Sequence, residues 1–176
     1  MARKIKVLII DDSMVFREVL LRGLSSDAEI EVVATAMDPY DARDKIISYE
    51  PDVMTCDVEM PKISGIEFIQ RLMPQYPLPI IVVSSISGKV FDAMNAGAVD
   101  FVCKPDLSSA NNVGNFIMDL ISKIKIAANA TIQNLNPDNP AAKIVSKVAY
   151  NIGAVEKQIP LENIESSIYS LSCGQA

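Results

Sequence analysis

Between residues 5 and 127, a short apolar segment is followed by a segment of helical periodicity five times in succession, and this alternation constrains the fold. The strands are predicted at residues 5–10, 30–36, 53–57, 80–84 and 99–103. Most of their residues are apolar, as in parallel strands that helices cover on both faces. Because crossover connections between parallel strands are right-handed, the pattern predicts an α/β fold with a doubly wound, five-stranded parallel sheet.

Local signals place the helices between these strands. Helices are predicted at residues 13–24, 39–49, 64–76, 90–95 and 112–127. Ser13 and Asp38 are the predicted N-caps of the first two helices, and Gly97 is predicted to close the fourth. The apolar positions of the first helix are assigned to Met14, Val15, Val19, Leu20 and Leu24.

After residue 128 the composition changes, and asparagine and proline concentrate in residues 129–140. We therefore predict a domain over residues 1–128, a linker over 129–140 and a helical tail of unknown role over 141–176. Apolar residues recur at helical spacing in 141–157 and again in 161–171. A stripe of this kind more often docks on its own domain, and a partner-binding helix is the alternative.

Composition excludes several classes of function. The chain has no histidine, which removes serine–histidine–aspartate catalysis and histidine metal ligands. A net charge of −6 disfavours nucleic-acid binding through broad electrostatics. No apolar run reaches the roughly 18 residues of a membrane-spanning helix, so a cytoplasmic protein is expected. The cysteines form no CxxC pair, and Cys56 and Cys103 are expected to be buried, inert thiols.

Carboxylates follow two of the predicted strands. Asp11 and Asp12 close the first strand, and Asp57 closes the third. In the usual order of a doubly wound sheet these strands are neighbours, so the three side chains converge at the edge where ligands bind. Carboxylates packed together repel one another, and a hard cation with oxygen ligands, such as Mg²⁺, relieves this repulsion.

Two further strand ends complete a site for a phosphoryl group. Ser84 ends the fourth strand and Lys104 follows the fifth, so both are predicted at the same edge. An ammonium and a hydroxyl are partners for phosphoryl oxygens, and Asp57 is the candidate nucleophile. Each residue taken alone has an ordinary structural explanation, whereas the set at one sheet edge predicts phosphoryl transfer to an aspartate.

Four motifs in this order resemble the response-regulator receiver family. They are Ile9-Ile10-Asp11-Asp12-Ser13, Asp57-Val58-Glu59-Met60-Pro61 with Gly65, Ser84-Ser85, and Gly97-Ala98-Val99-Asp100-Phe101-Val102-Cys103-Lys104-Pro105. The resemblance covers residues 4 to about 127, and within the family it is strongest to the receiver half of chemotaxis methylesterases (CheB). It implies a flavodoxin-like receiver fold.

The resemblance also implies the functional role of each site residue. Asp57 is then phosphorylated by a histidine kinase of a chemotaxis-type array, and the output partner is an unidentified protein. The implied ligands of Mg²⁺ or Mn²⁺ are Asp12, Asp57 and the backbone carbonyl of Glu59, with Asp11 acting mostly through water.

The implied switch is distinct from the metal ligands. Ser84 and Lys104 contact the phosphoryl group. When Ser84 moves toward that group, the Phe101 side chain turns inward. The Lys104–Pro105 peptide bond is expected to be cis.

The sequence departs from the resembled family in two places. The stretch from Ser85 to Gly97 is shorter by about one helical turn, so the fourth helix is expected to be short or replaced by a loop. No glycine-rich nucleophile turn follows residue 127, and with no histidine we expect no methylesterase activity from this chain. A truncated relative and a stand-alone receiver both fit these observations.

Two other functions fit the sequence less well. A metal-dependent phosphohydrolase would use Asp57 as its nucleophile and Glu59 as an acid two residues later, but Pro61 stands where a threonine or valine is expected. A nucleotide-binding fold would need a glycine-rich loop after the first strand, and Asp11-Asp12-Ser13 stands there instead.

Overall fold

The computed structural model describes residues 3–85 and 87–134. The strands are β1 (Ile5–Ile10), β2 (Ile30–Ala36), β3 (Val53–Asp57), β4 (Ile80–Ser84) and β5 (Asp100–Cys103). The helices are α1 (Met14–Ser25), α2 (Pro39–Tyr49), α3 (Gly65–Leu72), α4 (Val90–Ala96) and α5 (Ala110–Asn134), with a 3₁₀ turn at Ser87–Lys89. The predicted alternation of strands and helices is confirmed.

All neighbouring strands pair in parallel, in the order β2-β1-β3-β4-β5. Because β1 and β3 are adjacent and every strand points the same way, the carboxyl ends of β1, β3, β4 and β5 meet at one edge. This arrangement confirms the predicted doubly wound sheet.

Helices cover both faces of the sheet, and successive strand residues alternate between the two sides. In β1, Leu8 and Ile10 belong to the hydrophobic cluster that includes residues of α2, α3 and α4. Val7 and Ile9 belong to the cluster that includes residues of α1 and α5. Both faces of the central strands are therefore buried, which explains why these strands are almost continuously apolar.

Side-chain caps fix where α1 and α2 begin, as predicted. Ser13 accepts a hydrogen bond from the Phe16 N–H at 3.3 Å, and Asp38 accepts from Tyr40 N–H and Asp41 N–H, each at 2.9 Å. Such a cap contributes about 1 kcal/mol to stability.

The fourth helix has seven residues, in line with the short helix expected from the sequence. Gly97 ends it with a φ of 116°, a left-handed conformation that glycine adopts without steric cost.

Several local expectations are wrong. Met14 and Val15 are exposed, and the buried face of α1 begins at Phe16 and continues through Leu20 and Leu24. The spacing of four residues between these side chains keeps them on one face of the helix.

Cys103 is exposed rather than buried, because it is the last residue of β5 and β5 is an edge strand.

Helix α3 ends at Leu72 instead of residue 76. Hydrogen-bonded turns follow, in which Gln75 N–H and Tyr76 N–H both donate to the Leu72 carbonyl.

Helix α5 continues to Asn134, beyond its predicted end at 127 and into the range predicted as a linker. The rest of that range and the tail predicted for 141–176 lie outside the described residues, so the domain bounds remain a prediction. Among the described residues, no helix combines the length and apolar character that crossing a bilayer requires.

Gly65 is packed against the backbone that carries the candidate nucleophile. Its N–H donates to the Val58 carbonyl at 3.0 Å, and a Cβ added at this position would lie 1.9 Å from the carbonyl oxygen of Asp57. We therefore expect Gly65→Ala to lower the free energy of unfolding by roughly 2 kcal/mol or more, measured by urea unfolding.

Gly114 provides the matched control, because a Cβ there has no heavy atom within 4 Å and the residue lies inside α5. Gly114→Ala should raise the free energy of unfolding by roughly 0.5–1 kcal/mol. Equal effects of the two substitutions would contradict the tight contact assigned to Gly65.

Candidate functional site

Three carboxylates meet where β1 and β3 end. Asp11 and Asp12 follow β1, Asp57 ends β3, and the two strands pair with Ile10 opposite Cys56. One carboxylate oxygen from each of Asp11, Asp12 and Asp57 lies within 4.8 Å of the others. The predicted convergence is present, and we call these three residues the acid cluster.

Lys104 reaches into the acid cluster from the end of β5. Its Nζ donates a hydrogen bond to Asp57 Oδ2 at 2.7 Å and lies 2.7 Å from Asp11 Oδ2, in a close ion pair without hydrogen-bond geometry. The Lys104 N–H donates to the Ser84 carbonyl at 3.0 Å, so the sheet ladder fixes where the lysine side chain starts.

The acid cluster carries more negative charge than Lys104 can neutralise. The side chains of Asp11 and Asp57 are 1% and 2% exposed, whereas Asp12 is exposed to solvent. Burial raises the pKa of Asp57 above its usual value, although hydrogen bonds from Lys104 and the Glu59 N–H act in the opposite direction. The ionised carboxylate of Asp57 is therefore held in an unfavourable environment.

Lys104 remains charged beside these acids. Burial favours the neutral amine, but the contacts with Asp11 and Asp57 outweigh burial and raise the pKa of Lys104 above its usual value. Its ammonium is therefore a fixed positive charge beside the two buried carboxylates.

The donor set of the acid cluster fits a hard divalent cation. Carboxylate oxygens are the ligands that Mg²⁺ prefers, and it binds through one or two of them together with waters and phosphate. Asp11 Oδ1 already accepts from Ser13 N–H at 2.9 Å and Asp57 Oδ1 from Glu59 N–H at 3.0 Å. These bonds orient the two buried carboxylates, and Asp12 offers its carboxylate from the solvent side.

Arg17 positions the loop that carries two of the acids. Its Nη1 donates to the backbone carbonyls of Asp11 at 2.6 Å and Asp12 at 3.1 Å. This arginine is not among the site residues predicted from the sequence. Its place one turn after the helix cap, beside an acidic loop, is the signal that would have found it.

Phe16 is a second residue that sequence analysis missed. The Lys104 Nζ lies 4.6 Å from the centroid of its ring, within the range of a cation–π contact. The ring also packs against Phe116 of α5, with centroids 5.7 Å apart at an angle of 53°. The spacing of Phe16, Leu20 and Leu24 along one helix face is the sequence signal for its burial.

The candidate switch residues lie in β4 and β5. Ser84 is fully buried at the end of β4, and Phe101 is partly buried against the hydrophobic cluster beneath α2, α3 and α4. The Ser85 hydroxyl donates to the Glu59 carboxylate, which links the loops after β4 and β3. The roles of Ser84, Phe101 and the Glu59 carbonyl stay predictions.

The expected cis bond before Pro105 is not found. No peptide bond among the described residues is cis, so Lys104–Pro105 is trans. The trans form is favoured by about 0.5–1 kcal/mol before proline. The lysine reaches both buried carboxylates from this backbone, so its position at the acid cluster does not require the cis form.

Comparison with known proteins agrees with this geometry. Residues 7–110 match the response regulator receiver domain family. Protein-glutamate methylesterase/protein-glutamine glutaminase 2 of Syntrophomonas wolfei is 61% identical over 130 residues, which cover 74% of this chain and 38% of that protein. The corresponding protein of Syntrophotalea carbinolica is 49% identical over 138 residues, covering 76% of this chain and 39% of that protein. The chain thus spans less than half the length of these relatives.

Among solved structures, the response regulator domain of Thermotoga maritima CheB superposes with a TM-score of 0.66 at 38% identity, covering 72% of this chain and 98% of that domain. The family match covers most of the described sheet, and the acid cluster and Lys104 are in place. The chain belongs to the response regulator receiver family, with a receiver of the CheB type.

Proposed function

We propose that Asp57 accepts a phosphoryl group from the phosphohistidine of a histidine kinase and that the receiver reports this event to a protein partner. One observation carries the proposal: the buried Asp57 carboxylate has the Lys104 ammonium 2.7 Å from one oxygen and the other members of the acid cluster beside it. A nucleophile, a fixed positive charge and a metal-binding set therefore occupy one sheet edge.

The proposed reaction transfers one phosphoryl group. A carboxylate oxygen of Asp57 forms a bond to phosphorus while the phosphorus–nitrogen bond of the donor breaks, and the donor imidazole leaves with the electron pair. The phosphoryl group brings further negative charge, which the Lys104 ammonium and the Ser84 hydroxyl would contact. Attack of water on the resulting acyl phosphate releases inorganic phosphate and restores the carboxylate.

Asp12, Asp57 and the backbone carbonyl of Glu59 are the proposed ligands of Mg²⁺ or Mn²⁺, with Asp11 acting through water. When bound, the ion supplies positive charge to the phosphoryl oxygens. Arg17 and Ser13 N–H hold Asp11 and Asp12 in place, and Glu59 N–H orients the nucleophile. These contacts orient the Asp11 and Asp57 carboxylates and the backbone of Asp12 before any ligand arrives.

The proposed signalling context follows from the relatives. Because the related proteins are protein-glutamate methylesterases, we infer a chemotaxis-type kinase as phosphodonor and a cytoplasmic location. The proposed chemistry of these residues is phosphotransfer to Asp57 and loss of its phosphate. The 176 residues contain no histidine and so cannot form a serine–histidine–aspartate triad among themselves.

The output of the receiver is a change in protein contacts, with Ser84 and Phe101 as the proposed switch and a partner that remains to be identified. Net charge argues against a nucleic-acid target. The alternative function, a phosphohydrolase with Asp57 as nucleophile, has no support from the described residues or from the relatives.

Asp57→Asn should abolish labelling by acetyl phosphate and Mg²⁺, because the amide is a far weaker nucleophile than the carboxylate. Intact-mass analysis measures the added phosphoryl group. Asp44→Asn is the control, since this exposed α2 carboxylate lies outside the acid cluster. Equal labelling of the Asp57→Asn and wild-type proteins would rule out Asp57 as the acceptor.

Asp12→Asn should weaken Mg²⁺ binding, because it removes a charged oxygen ligand from an exposed position. In the wild-type protein, Mg²⁺ at 100 times its dissociation constant should stabilise the fold by about 2.7 kcal/mol, and the variant should gain clearly less. Thermal unfolding at several Mg²⁺ concentrations measures the gain. An undiminished Mg²⁺-dependent rise in melting temperature would exclude Asp12 as a ligand.

Lys104→Met should slow labelling by about tenfold to a hundredfold while leaving it measurable, because one charged partner of the phosphoryl group is lost. The labelled variant should lack the change in amide hydrogen exchange that labelling produces in β4 and α4 of the wild-type protein. Lys4→Met, at an exposed position, is the control. A labelled Lys104→Met protein with the wild-type exchange response would disprove this role.

A further inference from the structure

We propose that Phe16 is a positioning residue for phosphoryl transfer, and that its aromatic face holds the Lys104 ammonium at the acid cluster by cation–π attraction. The proposal rests on the proposed function, since it concerns the lysine that would contact the phosphoryl group. The geometry consists of an Nζ 4.6 Å from the ring centroid, a ring that is 4% exposed and a lysine side chain that is 16% exposed.

The ammonium has three groups of neighbours and three N–H donors. One donor is used by Asp57 Oδ2, and Asp11 Oδ2 lies at the same distance of 2.7 Å. The face of the Phe16 ring covers a further side, where water would otherwise solvate the charge. A cation–π contact is stronger at such a desolvated position than at an exposed one.

The orientation of the ring is fixed by its own surroundings. Phe116 of α5 packs against it in a tilted arrangement, and the Ser13 cap holds the Phe16 N–H at the start of α1. Leu20 and Leu24 continue the same buried helix face. The ring is therefore held in one position, which a positioning role requires.

During the reaction, a cation–π contact can hold the Lys104 ammonium in a way that a directional hydrogen bond cannot. When Asp57 becomes phosphorylated, negative charge moves outward from its carboxylate to the phosphoryl oxygens, and Lys104 must exchange one directional contact for another. Attraction to an aromatic face has little directional demand, so it persists while the ammonium moves. A leucine at position 16 would fill much of the same volume without supplying this attraction.

Ordinary core packing is the competing explanation, because Phe16 belongs to the hydrophobic cluster between the sheet and helices α1 and α5. Packing predicts that Phe16→Leu has the same effect whatever residue stands at 104. A positioning role predicts that the effect depends on the ammonium. A double-mutant cycle separates the two explanations.

The experiment measures the initial rate of acetyl phosphate labelling with saturating Mg²⁺ in four proteins: wild type, Phe16→Leu, Lys104→Met and the double variant. Phe16→Leu should slow labelling about threefold to tenfold when Lys104 is present and cause no further loss in the Lys104→Met background. An equal fold-loss in both backgrounds, or no loss with Lys104 present, overturns the proposal.

A second substitution keeps the test valid if Phe16→Leu folds poorly. Replacing Phe16 by 3,4,5-trifluorophenylalanine nearly preserves the ring shape but withdraws charge from its face, and it should also slow labelling. The same replacement at Phe68, a buried ring of α3 on the other face of the sheet, is the control and should leave the rate unchanged. Wild-type labelling by the fluorinated Phe16 protein overturns the proposal.

Nuclear magnetic resonance distinguishes failure of this inference from failure of the proposed function. The Lys104 Hε protons should be shifted upfield by the ring current of Phe16, and the shift should disappear in Phe16→Leu. This readout does not depend on phosphorylation. Absence of the shift in the wild-type protein overturns the positioning role even if Asp57 is labelled, whereas its presence in a protein that cannot be labelled refutes only the proposed function.

Discussion

The ion pairs of Lys104 with Asp57 and Asp11 are the interaction on which the rest of the site depends. Two carboxylates that are almost fully buried would otherwise lack a compensating charge, and an uncompensated buried charge is strongly destabilising. The contacts also bring residues from the ends of β1, β3 and β5 into one group. The charge balance of the site therefore depends on the strand order, because Lys104 reaches Asp11 and Asp57 only when the ends of β1, β3 and β5 lie at one edge.

Helix α1 supports this group from one side, through three residues near its beginning. Ser13 caps the helix and donates its N–H to the Asp11 carboxylate, Phe16 faces the lysine, and Arg17 donates to the loop carbonyls. The acid loop and the lysine therefore have a common support, although they come from opposite ends of the domain sequence. Phe101 lies on the other face of the sheet, away from this support.

The fold and the members of the acid cluster were predictable because proline, glycine and aspartate interrupt apolar runs at nearly every strand end, and a parallel sheet brings those ends to one edge. The buried face of α1 could not be predicted from the sequence, since Met14 and Val15 are as apolar as Phe16. Only packing in the folded protein decides which of these side chains is buried. The exposure of Cys103 depends on which strand lies at the sheet edge. Periodicity also could not separate the end of α5 from a linker rich in asparagine.

The excess of negative charge in the acid cluster affects which amino-acid substitutions would stabilise this protein. Substitutions that neutralise Asp11 or Asp57 would relieve repulsion and burial of charge, as often happens when a functional site is made more stable. A library selected only for heat resistance would therefore accumulate uncharged residues at these positions and lose the site. The three acids thus stand together at some expense to the stability of the domain.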